Sequence, residues 1–281
     1  MKISNKVHQI QICFQVTEEV QRYVYVYLIT GKNCYLIDSG VAGCEKIVAE
    51  YMQRLGRSIG EIKAVFLTHA HPDHIGGAAA IRKLSGCRIY ASDMEKEWIE
   101  NIEMQFRERP IPNFYTLVKE SVKVDEVVKE ADIILPEEEI TIKVLESSGH
   151  SLGSVSYIYE EEHVIFTGDA IPDIEDFPIF VNEEMSEASL EKMQRLEEIH
   201  YCCPAWDRVY QKDEWKKVLE DARMYLQKLK SSVLQIEREY GADAAENRLE
   251  LLGALMGWEH AAGNPLFKRS IAACRQENSL N

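Results

Sequence analysis

A short apolar run, IKAVFLT (62–68), breaks directly into HAHPDHIGG (69–77). A run of this length predicts a strand buried on both faces, and such strands occur in sheets covered by helices. The four polar groups that follow, His69, His71, Asp73 and His74, then lie at the carboxyl end of that strand, where α/β sites gather. Side chains alternate along an extended chain, so His69 and His71 point the same way and can share one ion. Asp73 and His74 lie past Pro72, where the chain turns toward a helix, and can reach a second. Gly76 and Gly77 let the backbone pass close to the site and start the helix. Imidazole and carboxylate bind Zn(II) through lone pairs at about 2.0–2.2 Å.

The flanking segments fit an α/β chain. Alternation in VHQIQICFQV (7–16), with YVYVYLI (23–29) and NCYLID (33–38) around Gly31-Lys32, predicts a first strand and a hairpin. A helix with Ile47, Val48, Tyr51, Met52 and Leu55 on its apolar face follows and stops at Gly56. CRIYAS (87–92) reads as a strand and DMEKEWIENIEMQF (93–106) as a helix. Residues 107–138, with two prolines at 110 and 112 and an acidic, exposed run, read as a long insertion without a clear element, either a lid or binding loop or a solvated excursion. Strands resume at 140–147, 154–160 and 163–168. Residues 186–199 read as a helix capped by Ser186 or Ser189, and YCCPAW (201–206) contains a short strand. From 211 on, Trp215, Val218, Leu219, Ala222, Tyr225, Leu226, Leu229, Val233, Ile236 and Tyr240 recur mostly at three- and four-residue steps, and DAAENRLELLGALMGWEH (243–260) forms a further helix. The expected organisation is a catalytic domain over 1–210 and a helical extension over 211–281.

Composition narrows the function. The 281 residues carry a formal net charge of −15, which repels polyphosphate and argues against nucleic acid and anionic membranes as partners. No apolar run approaches the roughly 20 residues that span a bilayer. The amino-terminal segment lacks a signal-peptide pattern and reads as a first strand. Seven cysteines, an odd number without a disulfide framework, fit a reducing cytoplasm. The adjacent Cys202 and Cys203 read as strand core rather than as a redox pair.

Two more segments end a strand in a candidate ligand: His150 in SSGHSLGS and Asp169 in IFTGDA. Together with THAHPDHIGG and LIDSG (36–40), in this order, they resemble the metallo-β-lactamase fold superfamily over about residues 7–210. The resemblance implies an α/β fold, an αββα sandwich, here with a C-terminal helical appendage. It implies a metal site at one edge between the sheets. Carried over by position, His69, His71 and His150 hold the first metal; Asp73 and His74 hold the second, with Asp169 bridging. Asp38 stands at the family's early Asp. One position departs: in CCPAWDRVY, Trp206 stands where the family places a seventh ligand, a His, and Trp cannot ligate. Asp207 could swing in as a substitute ligand, or it is a turn residue and the second site is weak or open. His200 lies too early in the chain for that role, His260 in the tail is a remote substitute, and His8 and His163 read as ordinary strand residues.

The resemblance implies a metal-dependent hydrolase of the glyoxalase II-like branch. A zinc-bound hydroxide, on one or two ions, attacks a small ester, thioester or lactone. Iron or manganese are the alternative metals, because carboxylate in place of imidazole favours harder ions. Asp73 orients the nucleophile and protonates the leaving group. Aromatic and basic residues at 104–116 (Phe106, Arg107, Arg109, Phe114, Tyr115) and at 170–182 (Phe177, Phe180) flank the site or belong to the core. The tail helices suit a cover over the site, a homodimer interface, or both. Two other classes stay open: a mononuclear-iron oxidoreductase resembling persulfide dioxygenases, and a non-catalytic metabolite binder.

Overall fold

The computed structural model describes residues 1–16, 20–241, 244–258 and 265–274; His260 lies outside them. The chain divides into two compact units. The first comprises Met1–Glu146, Gly153–Gly168 and Glu198–Gln211, and the second Ser147–Leu152, Asp169–Glu197 and Lys212–Asn281.

Two six-stranded sheets make up the first unit. One runs in the order β1 (Val7–Gln15), β2 (Gln21–Thr30), β3 (Cys34–Ile37), β4 (Ile62–Phe66), β5 (Arg88–Ser92) and β6 (Glu126–Val128). The other runs backward through the chain, from β12 (Tyr210–Gln211) through β11 (Tyr201–Pro204), β10 (Val164–Gly168), β9 (Val155–Tyr159) and β8 (Ile140–Glu146) to β7 (Ile133–Glu137). The predicted hairpin is present, with Thr30 opposite Cys34, while β3, β4, β5 and β6 pair parallel. A parallel pairing needs crossover segments, and helices provide them.

One apolar cluster joins the two sheets face to face: Tyr27, Ile29, Tyr35, Ile37 and Phe66 from the first meet Ile142, Tyr157, Val164, Phe166 and Cys203 from the second. A second cluster lies on the other face of the first sheet. There Ile12, Val26, Leu36 and Val65 pack with Val48 and Met52 of α1 (Glu45–Arg54) and with Ile81 of α3 (Ala78–Ser85). β4 contributes to both clusters, which is why its sequence is apolar with little alternation. The strand ends in α2 (Pro72–Ile75). Gly76 and Gly77 follow because a Cβ at either would lie 2.1 Å from the Leu117 carbonyl oxygen or 2.3 Å from that of Ser39. Cys202 and Cys203 are fully buried in β11, and burial pushes both thiols up, so they stay protonated core groups at neutral pH.

Four sequence expectations are corrected, the last of them in the tail helices described below. Residues 107–138 are not one loop. They contain the end of α5 (Ile102–Glu108), then α6 (Phe114–Leu117), β6 and β7. β6 and β7 are the outer strands of the two sheets, where short, charged or Pro-containing sequences are tolerated, and that composition hid them. The segment 93–106 is two helices, α4 (Asp93–Glu100) and α5, separated by Asn101, whose side chain accepts the Met104 N–H at 3.1 Å. The helix expected from Ser186 is α7 (Glu183–Gln194), capped instead by Asn182, whose side chain accepts the Met185 N–H at 2.9 Å.

In the second unit, α7 packs with α8 (Asp213–Tyr240). Arg223 of α8 bonds Glu191 at 2.7 Å and Lys230 bonds Glu183 at 2.8 Å. Of the helical periodicity read from 215 to 240, Trp215, Leu219, Ala222, Leu226, Leu229, Val233 and Ile236 are buried, whereas Val218 and Tyr225 are half-buried and Tyr240, in the last turn, is exposed. The second tail helix is interrupted at Arg248 into α9 (Ala244–Asn247) and α10 (Leu249–Met256), and α11 (Pro265–Ala273) follows. Among the described residues, no helix is long and apolar enough to cross a membrane.

Candidate metal centre

Past Phe66 the chain bends at Thr68, His71 is extended with φ −63 and ψ 146, and Pro72 opens α2 at its first position, where its fixed φ suits a helix start and no N–H is missed. This places His69, His71 and His74 within one turn of chain. All three are buried, at 1%, 4% and 0% exposure, while the Asp73 side chain keeps 18%. Buried imidazoles need their ring nitrogens assigned, and the neighbouring groups assign them.

Asp38 is the origin of that assignment. It follows β3 with φ +58, and its carboxylate accepts the Thr68 N–H at 2.8 Å and the Thr68 hydroxyl at 2.9 Å. The other partner of the same carboxylate is His74 Nδ1, at 2.8 Å. A carboxylate only accepts, so His74 carries its proton on Nδ1 and presents the lone pair of Nε2. Thr68 donates its hydroxyl proton to Asp38, so toward His69 Nδ1, 3.0 Å away, its oxygen accepts. His69 is thereby also protonated on Nδ1 and presents Nε2. That nitrogen lies 3.0 Å from His71 Nδ1. His74 Nε2 lies 3.8 Å from Asp73 Oδ2. Gly168 leaves room for this arrangement: a Cβ there would stand 2.5 Å from Thr68 Oγ1, and its φ is +52.

The second unit holds a pair built in the same way. The loop 147–152 is held against the start of α7: Ser189 donates to the Ser148 carbonyl at 2.6 Å, and Val181 N–H donates to the Gly149 carbonyl at 2.8 Å. His150 Nδ1 donates to the Ile179 carbonyl at 2.8 Å. Its Nε2 is therefore the lone-pair nitrogen, and it lies 3.4 Å from Asp169 Oδ2.

Two donors on one tetrahedral ion with bonds of ~2.0–2.1 Å are about 3.3 Å apart. The separations of 3.0, 3.4 and 3.8 Å bracket that value. Imidazole nitrogens with the distal nitrogen tied to a carboxylate or carbonyl are the usual dress of metal ligands. The donor set therefore fits a divalent metal ion.

The turn after β11 differs. Trp206 is half-buried against the helix-side core, with its ring 5.9 Å from that of Tyr23. Asp207 is exposed, has φ +63, and its carboxylate accepts the Tyr210 hydroxyl. Burial, and then the Asp207 carboxylate, push the Tyr210 phenol well above its ordinary value, so it remains a donor. Asp207 is thus held as a turn residue in this structure. His200 lies beside His163, with ring centroids 4.5 Å apart. Of the aromatics considered as substrate groups, Phe114 and Phe180 are core residues at 2% and 3% exposure, and Phe177 packs on Phe267. Phe106 stacks with Phe114 and Tyr115. The sequence reading missed Thr68 and the Ile179 carbonyl. Thr68 could have been found as the residue directly before the first ligand; a backbone carbonyl leaves no sequence signal.

Known proteins bear on the same residues. A probable metallo-hydrolase of Bacillus subtilis (strain 168) is 29% identical over 197 residues, covering 65% of this chain and 81% of that protein. A hydroxyacylglutathione hydrolase of Nitrobacter winogradskyi is 27% identical over 43% of this chain, which spans only 38% of that relative. GloC of Haemophilus influenzae, a hydroxyacylglutathione hydrolase, is 27% identical over 50% of this chain and 62% of its own length. Among solved structures, a metallo-beta-lactamase family protein from Thermus thermophilus superposes with a TM-score of 0.72 at 17% identity, covering 92% of this chain and 91% of the other. That likeness confirms the fold expected from the sequence, an α/β metallo-β-lactamase-like sandwich with added C-terminal helices. Residues 20–199 match the family model of the metallo-beta-lactamase superfamily, and the chain belongs to that superfamily.

Proposed function

We propose that this metal-dependent hydrolase cleaves a small ester, thioester or lactone, with His69, His71, His150, Asp73, His74 and Asp169 as its metal ligands. The observation that carries the reading is the fixed tautomer of three imidazoles: His69, His74 and His150 each have Nδ1 bonded to an acceptor and Nε2 left as the ligand atom. A divalent ion there supplies an acidified water as nucleophile and polarises the scissile carbonyl. Zinc is the proposed ion, one or two per chain, with iron or manganese as the alternatives. Asp73 is the proposed catalytic residue. Its carboxylate is the least buried of the cluster, so it can orient the attacking water, hold the proton and pass it to the leaving group. The likeness to hydroxyacylglutathione hydrolases supports an acyl substrate of small size. A cytoplasmic setting and a homodimer through the C-terminal helices belong to the same proposal, and light scattering of the purified chain tests the dimer.

One observation favours a second reading. Among the described residues, Trp206 offers no ligand and the Asp207 carboxylate accepts the Tyr210 hydroxyl, which leaves Asp73, His74 and Asp169 as the proposed ligands of the second site. A single iron would suit a persulfide-oxidising enzyme. Metal analysis of protein purified without added metal or chelator, followed by assays of thioesters and lactones, decides. Zinc with turnover of either class supports the hydrolase. One iron per chain, with oxygen consumed on glutathione persulfide, supports the oxidoreductase. No turnover with any metal would leave a metabolite-binding protein.

A further inference from the structure

The first turn of α4 reads Ser92-Asp93-Met94-Glu95, the Ser-x-x-Glu pattern that ordinarily caps its own helix. Here it does not: Ser92 sits at the cap position and makes no side-chain cap bond. Its hydroxyl donates instead to the Gly153 carbonyl. Glu95, 4% exposed, splits its carboxylate between two distant amides: Oε2 accepts the Ala70 N–H at 2.7 Å and Oε1 accepts the Gly153 N–H at 2.8 Å. The Ala70 carbonyl takes a bond from Nε2 of Gln105, which is fully buried on α5.

Ala70 is the residue between His69 and His71. Its N–H is held by Glu95 and its C=O by Gln105, so both peptide planes that set the directions of the two imidazoles are fixed by side chains from α4 and α5. Gly153, also gripped at N–H and C=O, is three residues beyond His150 in the chain. A Cβ at Gly153 would stand 2.6 Å from Ser92 Oγ and 2.9 Å from Glu95 Cγ, so the grip depends on this glycine.

We propose that Glu95, with Gln105, is a positioning residue of the metal centre: it sets the His69–His71 ligand geometry through the Ala70 peptide and ties that loop to the one following His150. The inference rests on the metal reading above. The carboxylate is suited to the task because it accepts two N–H bonds at once without offering a proton, which neither Gln nor a hydroxyl can do. Helix α4 forgoes its own cap to provide this.

The test uses cobalt(II) as the probe on the full chain. Affinity is measured by competition with a chromophoric chelator, geometry by the visible d–d spectrum, and folding by thermal melting of the metal-free protein. Expected for Glu95→Gln and for Gln105→Met is a loss of about 10- to 100-fold in cobalt affinity with an altered spectrum. Ser92→Ala, which loosens only the Gly153 carbonyl, should keep the wild-type spectrum and an affinity within about threefold. Both of the first two variants folding with wild-type affinity and spectrum, or all three variants losing affinity only in proportion to lowered melting temperature, would overturn the proposal. Should Glu95→Gln fail to fold, Gln105→Met against Ser92→Ala carries the same contrast. Wild-type protein that binds no cobalt defeats the metal reading itself, and the positioning role with it; that outcome is distinct because the unmutated chain already shows it.

Discussion

Two groups of histidines occupy the same pair of sheets and differ in almost everything that matters. His69, His71 and His74 follow the carboxyl end of β4, are buried, and include two rings whose Nδ1 is engaged by Thr68 or Asp38. His163 and His200 lie at the amino ends of β10 and β11. Their rings are in contact at 4.5 Å, but His200 is exposed, and the nearby Glu162 spends its carboxylate on Ser4 and on the Lys6 N–H at 3.0 Å. Proximity of imidazoles is common to both. What separates them is a buried acceptor that decides which nitrogen carries the proton, and so which one is left as a ligand. A site is recognised here by that orientation, not by the number of histidines.

The largest expected effect removes a proposed ligand. His71→Ala should lose most bound metal and reduce hydrolysis by about 10³-fold or more, since the acidified water depends on the ion. Metal content and initial rates on the best substrate check it. Retention of both would show that His71 is no ligand and would collapse the distinction between the two histidine groups. Next comes the acceptor itself. Asp38→Ala leaves Thr68 and His74 without the partner that fixes them, and should cost about 10- to 100-fold in metal affinity. The buried groups it strands should also cost about 1–3 kcal/mol of stability, read by denaturant titration. An unchanged affinity in a folded variant would mean that the ring orientation is set elsewhere.

The contrast also explains what the sequence could and could not convey. His69, His71, Asp73 and His74 fall within six positions, so the proposal that they act together comes from spacing alone. His150 and Asp169 were legible only because each ends a strand-like run and because the order of motifs matched a family. The orienting partners are harder. Asp38 carries a motif, but Thr68 acts through one hydroxyl, Ile179 through a carbonyl, and Glu95 through a capping pattern that serves another purpose. Buried strands such as β4 announced themselves by apolar runs. The outer strands β6 and β7, with Glu126, Pro136 and Glu137, did not, because an edge strand meets solvent and needs no continuous apolar face. Helix starts were misplaced where Asn, at 101 and 182, provided the cap in place of a serine or an uninterrupted helix.

The turn 204–210 offers a milder test. Pro204 pairs with Gly168, and a Cβ at Gly168 would stand 2.5 Å from Thr68 Oγ1, so the strand end before this turn lies close to the residue that precedes His69. If the resemblance of this turn to the family's ligand-bearing turn holds, Trp206→His places an imidazole beside the proposed second metal site. It should raise affinity for a second metal ion by about tenfold, measured by titrating cobalt or zinc beyond the first equivalent. No change would show that the turn does not address the metal centre in this chain.

The smallest effect is expected at the other histidine pair, and it is the sharpest test of the comparison. Replacing both His163 and His200 by alanine removes as many imidazoles as a severe active-site double mutant would. Neither ring has a buried carboxylate partner among the bonds described, and His200 is already solvent-exposed. Metal content and rate should therefore stay within about twofold of wild type. Stability should shift by no more than about 0.5 kcal/mol for the exposed His200, with a somewhat larger cost at His163, whose backbone φ of +55 favours histidine over alanine. Separate His163→Asn and His200→Ala variants divide backbone strain from ring chemistry, because asparagine tolerates that φ. If the asparagine variant lost metal or activity, the His163–His200 pair would have to be counted as functional, and burial beside the Thr68 and Asp38 acceptors would no longer tell the two groups apart.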